Sequence, residues 1–300
     1  MAENVFDQAA RYLAKIDPTA VLNWALPATP SPLRFIRWLD ARTVPFPGSP
    51  HRVCDTVAHL EQVDPPGRPW AIPVECQVEP DPEMFGRLLE YLGRLWRAER
   101  PSPERGDRFW LGAVVINLTG TGRSSRDHEW TAVGLRTQLR VVERNLHQES
   151  ASSTLARVAD GTLGTIILGL VPLMDGGDDS GIMTEWLRLA STEADPRRRS
   201  DIGALALVFA EAANRGSAWM RLLKGWNMIQ SKQVLEWQAE GEARGKASAV
   251  VAFLEARFQV VPADLIAAIQ GISDLHRLNP MVKLAATAVS LDQFRTDAGL

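Results

Sequence analysis

Two short stretches, Val53–Leu60 and Trp70–Val78, have the pattern of apolar and polar positions that is typical of β-strands. Between the two stretches the chain reads Asp64-Pro65-Pro66-Gly67, a sequence with strong turn chemistry. The pattern therefore predicts an antiparallel hairpin whose turn is centred on position 65.

A helical pattern comes directly after the hairpin, from about Pro82 to Arg97. Asp81 is the predicted N-cap of this helix, and Pro82 takes the first helical position, where proline is tolerated. Apolar residues recur at helical spacing along it: Phe85, Leu88, Leu89, Leu92, Leu95 and Trp96. The helix is thus expected to bury one face.

The remaining elements of the first half complete an α/β pattern. Helices are predicted from about Glu3 to Lys15 and from Pro18 to Trp24, and the segment 35–43 is extended or mixed. Phe109–Leu118 has the continuous apolar character of a buried strand, and its position after a helix favours a parallel neighbour in a mixed sheet. Gly134–Val142 alternates as a further strand.

From residue 150 onward the pattern is helical. Helices are predicted over Leu155–Leu173, Ile182–Leu189, Ile202–Asn214 and Ala218–Leu235, and after the charged segment 241–246. We expect three regions: a core over residues 1–149, a helical extension over 150–232 and a helical tail over 233–300. The fold class is therefore α/β, with a mixed sheet flanked by helices and an all-helical C-terminal part.

Composition narrows the class of protein. Of the 300 residues, 45% are hydrophobic and 23% are charged, as in an ordinary soluble globular protein. Two cysteines, Cys54 and Cys76, provide no disulfide framework and fit a reducing cytoplasm, with both side chains expected in the core. The longest apolar run, Gly164–Met174, is too short to span a bilayer. A cytoplasmic location without membrane contact is expected.

The net charge of −3 provides no overall basic field, which counts against tight nonspecific binding of nucleic acid. A net charge of −3 remains compatible with nucleic-acid binding if the positive charge is confined to one groove. Arginines at 94, 97 and 100 follow one another along the predicted helix, and Arg197-Arg198-Arg199 forms a second cluster. The simplest interpretation of both groups is a solvated surface.

The predicted hairpin brings acidic and amide side chains together. Glu75 and Gln77 lie two residues apart on one strand, so they share a face. A turn centred on position 65 places Asp55 opposite Glu75, which puts the two carboxylates and the amide within roughly 5–8 Å. Carboxylates this close repel one another unless a divalent cation lies between them. The pattern is therefore typical of a magnesium site.

A plainer alternative applies to the hairpin. In it, Glu75 and Gln77 form the solvent face of an amphipathic strand, and Asp55 is a surface charge. Pro73 is unusual in a central strand because it lacks an N–H group, and it predicts either a bulge or a strand that begins only at Val74. His59 shares the face of Asp55 by period two, but a surface histidine at a strand end is the simpler interpretation.

The hairpin motif resembles that of the PD-(D/E)XK nuclease superfamily, in particular its transposase-like, recombination-promoting branch. Members of that branch often carry Glu-x-Gln, followed by an acidic, proline-rich bend and a helix with arginine and tyrosine. This chain has Val74-Glu75-Cys76-Gln77, then Glu79-Pro80-Asp81-Pro82, then Arg87-Leu88-Leu89-Glu90-Tyr91. The resemblance covers about the first half of the chain and implies a restriction-endonuclease-like core.

The resemblance also implies site roles. Asp55, Glu75 and the backbone carbonyl of Cys76 would bind Mg²⁺ or Mn²⁺, and Gln77 stands where the family usually has a catalytic lysine. An amide can position water but supplies neither charge nor a base. Arg87 is expected to contact a phosphate of DNA, and Tyr91, one turn further on, to form a hydrogen bond near the site.

Three functions are compatible with the sequence. The first is a Mg²⁺-dependent DNA endonuclease linked to mobile elements or recombination. The second is a degenerate nuclease fold that binds nucleic acid or protein without cutting it. The third is an unrelated α/β scaffold with a helical interaction domain. The sequence leaves open whether the chain is a monomer or a homodimer.

Overall fold

The computed structural model describes residues 5–27, 33–39, 56–64, 66–101, 107–226 and 232–300. Within them the chain is an α/β protein built on a mixed sheet of parallel and antiparallel strands. The strands of the described part are β1 (Leu33–Leu39), β2 (Thr56–Gln62), β3 (Trp70–Gln77), β4 (Trp110–Leu111), β5 (Val114–Asn117), β6 (Arg126–Trp130), β7 (Leu135–Leu139) and β8 (Val142–Asn145).

The helices cover most of the rest of the described chain. They are α1 (Val5–Ile16), α2 (Pro18–Ala25), α3 (Met84–Ala98), α4 (Ala151–Ala159), α5 (Ser180–Ala190), α6 (Pro196–Ala212), α7 (Gly216–Leu222), α8 (Lys232–Phe258), α9 (Ala263–Gln270), α10 (Leu275–Thr287) and α11 (Leu291–Ala298). Short 3-10 helices occupy Thr131–Val133, Leu146–Gln148 and Thr165–Leu173. None of the described helices combines the length and apolar character needed to cross a membrane.

The sheet has the strand order β1-β2-β3-β5-β8, with β4 pairing to the beginning of β3. Strand β2 is antiparallel to both of its neighbours, β1 and β3, whereas β5 is parallel to both β3 and β8. Strands β6 and β7 pair only with each other and form a separate two-stranded ribbon inserted between β5 and β8. The carboxyl ends of β3, β5 and β8 therefore lie side by side at one edge.

The predicted hairpin is confirmed in its register. Thr56 pairs with Val74 and Leu60 with Trp70, so the paired positions are centred on 65. The predicted parallel neighbour of the second hairpin strand is also present, because Val114 pairs with Val74 and Asn117 with Gln77.

Pro73 lies in the middle of β3, and neither alternative predicted for it is found. It pairs with Val57 in an uninterrupted antiparallel register, so the strand is not bulged and does not begin at Val74. On the other side of β3, the parallel pairing stops after Leu111 and resumes at Val114. The missing N–H of Pro73 thus coincides with a gap in the ladder, and this gap divides the predicted strand Phe109–Leu118 into β4 and β5.

Helix α3 begins two residues later than predicted. Its N-cap is Glu83 rather than Asp81, and Pro82 belongs to the preceding turn. The carboxylate of Asp81 accepts a hydrogen bond from the backbone N–H of Glu83 (2.8 Å), and its carbonyl accepts one from that of Met84 (3.1 Å). Asp81 therefore closes a turn ahead of the helix, as aspartates commonly do.

The predicted strand Gly134–Val142 is wrong as a single element. Leu135–Leu139 belongs to the exposed ribbon, whereas Val142 begins β8 in the main sheet. Leu135 is largely exposed, although Leu139 and Val141 pack against buried residues. An alternating pattern predicts a strand but not which sheet it joins.

Two predicted helices differ for reasons of backbone geometry. The helix over Leu155–Leu173 is interrupted: α4 ends at Ala159, Gly161 has a positive φ of 79°, and a 3-10 helix containing Pro172 follows. The helix over Ala218–Leu235 ends at Leu222, before Gly225 with φ 88°. Glycine reaches these conformations without the steric cost paid by other residues.

Two hydrophobic clusters cover the two faces of the sheet. The larger one, the main cluster, joins alternate residues of β2, β3 and β5 to helices α1, α2 and α4–α7, so it spans both the predicted core and the predicted extension. The second, the α3 cluster, joins the other face to α3 through Met84, Leu88, Tyr91 and Leu95. A third cluster lies within α8–α11 alone.

Candidate functional site

Glu75 lies near the carboxyl end of β3, on the face of the sheet that α3 covers. It alternates with Val74 and Cys76, which point into the main cluster. Only 2% of Glu75 is exposed, and 8% of Gln77. These two side chains therefore do not form the solvent face of an amphipathic strand, and the plainer alternative is wrong for both of them.

The charge of Glu75 is compensated by Arg87 of α3. Nη2 of Arg87 lies 3.3 Å from Oε2 of Glu75 and 3.3 Å from the hydroxyl of Tyr91, while Nη1 lies 2.7 Å from Oδ2 of Asp81. Arg87 is one turn into the helix, so the helix start places its side chain over the end of β3. One guanidinium thus holds two carboxylates and a phenol together.

This arrangement keeps Arg87 charged. Burial by itself acts to lower the pKa of the guanidinium, but the hydrogen bonds to Tyr91 and Asp81, with the nearby Glu75 charge, outweigh burial and raise it. Arg87 therefore remains a cation over the whole accessible pH range. A buried carboxylate such as Glu75 requires a compensating charge of this kind, because the desolvation of an unpaired charge is costly.

Gln77 fixes the bend that leads into α3. Its Oε1 accepts a hydrogen bond from the backbone N–H of Asp81 at 2.6 Å. Its Nε2 is buried and has no hydrogen-bond partner among the described residues. The amide orientation is consequently set by the bend, with its oxygen toward Asp81 and its donor group toward the protein interior.

A second polar network continues the site onto β5 and β8, and the sequence alone did not reveal it. Asn117, which is fully buried, donates from Nδ2 to Oε1 of Glu143 (3.1 Å) and to Oδ1 of Asn145 (2.8 Å). The backbone N–H of Ser124 donates to the other carboxylate oxygen of Glu143, Oε2 (2.7 Å), and the backbone N–H of Gly122 donates to Oδ1 of Asn145 (2.8 Å). The loop that leads into the ribbon is thereby fastened to the sheet.

Gly122 shows how tightly this loop approaches the sheet. A Cβ atom at this position would lie 2.3 Å from Nδ2 of Asn117 and 2.4 Å from Oε1 of Glu143. No residue with a side chain fits there without displacing that network. The only sequence indication of the network was that Asn117 ends an apolar run and that Glu143 and Asn145 alternate two residues apart.

The structure brings together four of the residues predicted for the site: Glu75, Gln77, Arg87 and Tyr91. Arg87 is paired with the carboxylates of Glu75 and Asp81, and Tyr91 is 2% exposed. The side chain of Cys76 packs on the opposite face, against the main cluster, as expected for a core cysteine. Asp55 and Cys54 lie outside the described residues.

His59 is not the surface histidine that the sequence favoured. It is 6% exposed, pairs with Ala71 at the other end of β3 from Glu75, and packs its ring against Phe109 with the centroids 4.9 Å apart. Ala71 and Glu75 are four positions apart, which corresponds to about 13 Å along β3. His59 therefore belongs to the α3 cluster and not to the site.

Within the described part of the chain, no three His, Cys, Asp or Glu side chains lie close enough together to hold a metal ion. Comparison with known proteins gives no match, whether with protein-family models, with curated proteins or with solved structures. The likeness to the nuclease superfamily therefore rests on the motif residues themselves.

Proposed function

We propose that this protein is a metal-dependent DNA endonuclease of the PD-(D/E)XK type. The observation that carries the proposal is the buried Glu75, placed at the carboxyl end of β3 between an antiparallel and a parallel neighbour, with Gln77 on the same face. The element order supports it as well. With β4 and β5 counted as the single strand that the sequence predicts, the chain from α2 to β5 has the order α-β-β-β-α-β. This is the beginning of the α-β-β-β-α-β-β order expected of a restriction-endonuclease-like core.

The residues present fit a hard divalent cation in their chemistry. Mg²⁺ prefers oxygen ligands, and the donors would be the carboxylates of Asp55 and Glu75 with the carbonyl of Cys76. Glu75 is already held beside a cationic group, Arg87, which indicates that this position favours positive charge. When bound, the metal would polarise the scissile phosphate and lower the pKa of a water molecule.

The protein side chains around Glu75 then act by positioning. Arg87 holds the Glu75 carboxylate in one orientation, and Tyr91 and Asp81 in turn fix the guanidinium of Arg87. Gln77 contributes a neutral amide that is itself bound to the bend at Asp81. Since an amide neither removes a proton nor stabilises a phosphate with full charge, we expect slower hydrolysis than with a lysine at this position.

A second candidate is a nuclease fold that binds without cutting. Two observations favour it: the ion pair between Arg87 and Glu75 already provides the charge compensation that a metal would give, and the Gln77 oxygen is occupied by the backbone of Asp81. In that case the site would stabilise the fold, and the protein would bind nucleic acid or a protein partner without catalysing a reaction.

A plasmid-nicking assay with Mg²⁺ or Mn²⁺ separates the two candidates. Wild type should convert supercoiled DNA to open circles only when metal is present, and Glu75→Gln and Asp55→Asn should both reduce this to background. Glu79→Gln is the matched control, because Glu79 is an exposed glutamate in the same bend. Wild type that binds DNA but never cuts single- or double-stranded substrates would favour the binding protein. Equal cutting by all four proteins would place the activity elsewhere.

A further inference from the structure

The ribbon formed by β6 and β7 is the most exposed element near the site. Every described side chain from residue 127 to 138 is exposed. The two strands pair antiparallel from Arg126–Leu139 to Trp130–Leu135 and are joined by a 3-10 turn and Gly134, whose φ is 71°. An isolated two-stranded ribbon buries little apolar surface, so its exposure in this fold calls for a role other than core formation.

The ribbon and its two ends carry an excess of positive charge. Between residues 123 and 140 the chain has four arginines and two carboxylates, whereas the whole chain has a net charge of −3. The arginines are Arg123, Arg126, Arg136 and Arg140, and the carboxylates are Asp127 and Glu129. A basic element in an acidic protein is the local concentration of charge that a polyanion requires.

Three of the four arginines are not neutralised by a salt bridge within the described chain. Arg136 pairs with Asp127 through two hydrogen bonds of 3.0 and 2.6 Å. Arg126 instead donates to backbone carbonyls, among them that of Ser125 at 3.1 Å, and a carbonyl leaves its charge uncompensated. Arg123 and Arg140 are exposed. Arg126 is half-buried and the charge of Arg140 acts on Asp127, but none of Arg123, Arg126 and Arg140 forms a salt bridge with a described carboxylate.

The ribbon stands at the same end of the sheet as Glu75. The ring of His128 in β6 packs against that of Phe85 in α3, with centroids 5.6 Å apart, and Phe85 precedes Arg87 by two residues. At its base, Ser124 is bound to Glu143, the acceptor shared with Asn117. The position of the ribbon is thus fixed relative to the candidate site by both its base and one of its faces.

We propose that the β6–β7 ribbon is the element with which this protein contacts duplex DNA, and that Arg123, Arg126 and Arg140 bind its phosphates. A two-stranded antiparallel ribbon has the dimensions that the major groove admits, and arginine side chains at its ends reach the flanking phosphates. The choice of DNA as the polyanion rests on the proposed function. The location of the contact rests on the ribbon itself.

The test measures binding to a fluorescently labelled DNA duplex of about 25 base pairs, in EDTA so that no metal-dependent cutting occurs. The triple variant Arg123→Gln/Arg126→Gln/Arg140→Gln should bind at least about tenfold more weakly at low salt. The slope of log affinity against log salt should fall by about two to three, since each phosphate contact contributes about 0.9. The corresponding triple lysine variant, which keeps the charges, should restore most of the affinity.

The matched control removes three exposed arginines from helices away from the ribbon: Arg157→Gln/Arg221→Gln/Arg277→Gln. It should bind as wild type does. An equal loss in this control, unchanged binding by the ribbon glutamine variant, or failure of the lysine variant to restore affinity would each overturn the proposal.

The result is separable from that of the nicking assay. If wild type binds duplex DNA through the ribbon but never cuts it, the ribbon proposal stands and the nuclease proposal fails. If wild type cuts DNA and the ribbon glutamine variant cuts with an unchanged KM, the nuclease proposal stands and the ribbon proposal fails. Wild type that does not bind duplex DNA even at low salt contradicts the ribbon proposal directly.

Discussion

Gln77 and Asn117 are register partners on the parallel strands β3 and β5, and each buries one polar atom without a hydrogen-bond partner among the described residues. The atom on Gln77 is the donor Nε2, and the atom on Asn117 is the acceptor Oδ1. Their other amide atoms are bound, to Asp81 on one side and to Glu143 and Asn145 on the other. Each of these two buried atoms carries a desolvation cost that no described residue offsets.

The first prediction concerns Gln77→Lys. Lysine has no acceptor, so the backbone N–H of Asp81 loses its 2.6 Å bond. We expect the free energy of unfolding to fall by about 1–3 kcal/mol in urea titrations. Cleavage per folded molecule should stay the same or rise, because a cation stabilises developing charge on the phosphate.

Gln270→Lys, at the exposed end of α9, is the control for adding a lysine and should leave stability unchanged. If Gln77→Lys is as stable as wild type, the bond from Asp81 to Gln77 does not contribute to the fold. If it is stable and cutting is lost, the amide itself is required for the chemistry.

The second prediction concerns Arg87→Gln. It removes the guanidinium that faces Glu75 and leaves a carboxylate with 2% exposure. Breaking a buried ion pair on one side costs about 3–5 kcal/mol, because the remaining carboxylate loses the cation that offsets its desolvation. Arg188→Gln, which breaks an exposed ion pair with Glu185, should leave the free energy of unfolding nearly unchanged. Equal, small losses in the two variants would mean that Glu75 has another source of compensation.

The third prediction concerns metal binding. A cation that binds only the folded state raises its stability, by about 1.4 kcal/mol at ten times the Kd. Millimolar Mg²⁺ or Mn²⁺ should therefore raise the Tm of wild type by roughly 2–5 °C. Glu79→Gln should show the same rise, while Asp55→Asn and Glu75→Gln should show less. A Tm that metal leaves unchanged in all four proteins would argue against the site.

Local chemistry predicted the parts of the fold that depend on neighbours in sequence. The turn at residues 64–67 set the hairpin register, and period two placed Glu75 and Gln77 on one face. The network of Asn117 with Glu143 was beyond such reasoning, because these residues are 26 positions apart and meet only when β5 pairs with β8. A pattern of apolar residues does not specify which strands become neighbours.

The ion pair of Arg87 could not be predicted from the sequence motif. The position of Arg87 near the site was predicted, but its ion pair with Glu75 was not. The ion pair follows from desolvation: helix α3 covers the end of β3, so a carboxylate there needs a protein cation. The expected contact of Arg87 with a phosphate stays a prediction. Burial is a property of the packed structure, and a motif in the sequence does not report it.

The fourth prediction concerns the pH dependence of stability, through His59. Burial lowers the pKa of this histidine most; Glu61 opposes the shift, with its Oε1 3.8 Å from Nε2, and Arg37, its cross-strand neighbour, adds to it. Between the two pKa values, His59 therefore binds a proton in the unfolded chain but not in the folded protein. The contribution of neutral His59 to the free energy of unfolding is therefore fully present above about pH 6.5. It is lost as the pH falls toward the lower pKa of the folded state.

His59→Phe isolates this contribution. Phenylalanine keeps the edge-to-face contact with Phe109 and removes two ring nitrogens that have no hydrogen-bond partner among the described residues. We expect the variant to be at least as stable as wild type at pH 7.5. Between pH 6.5 and 5 wild type should lose up to about 1.4 kcal/mol per pH unit more than the variant. His276→Gln, an exposed histidine of α10, should follow wild type. Parallel curves for wild type and His59→Phe, measured by urea unfolding at each pH, would show that His59 accepts its proton in the folded protein as readily as in the unfolded chain.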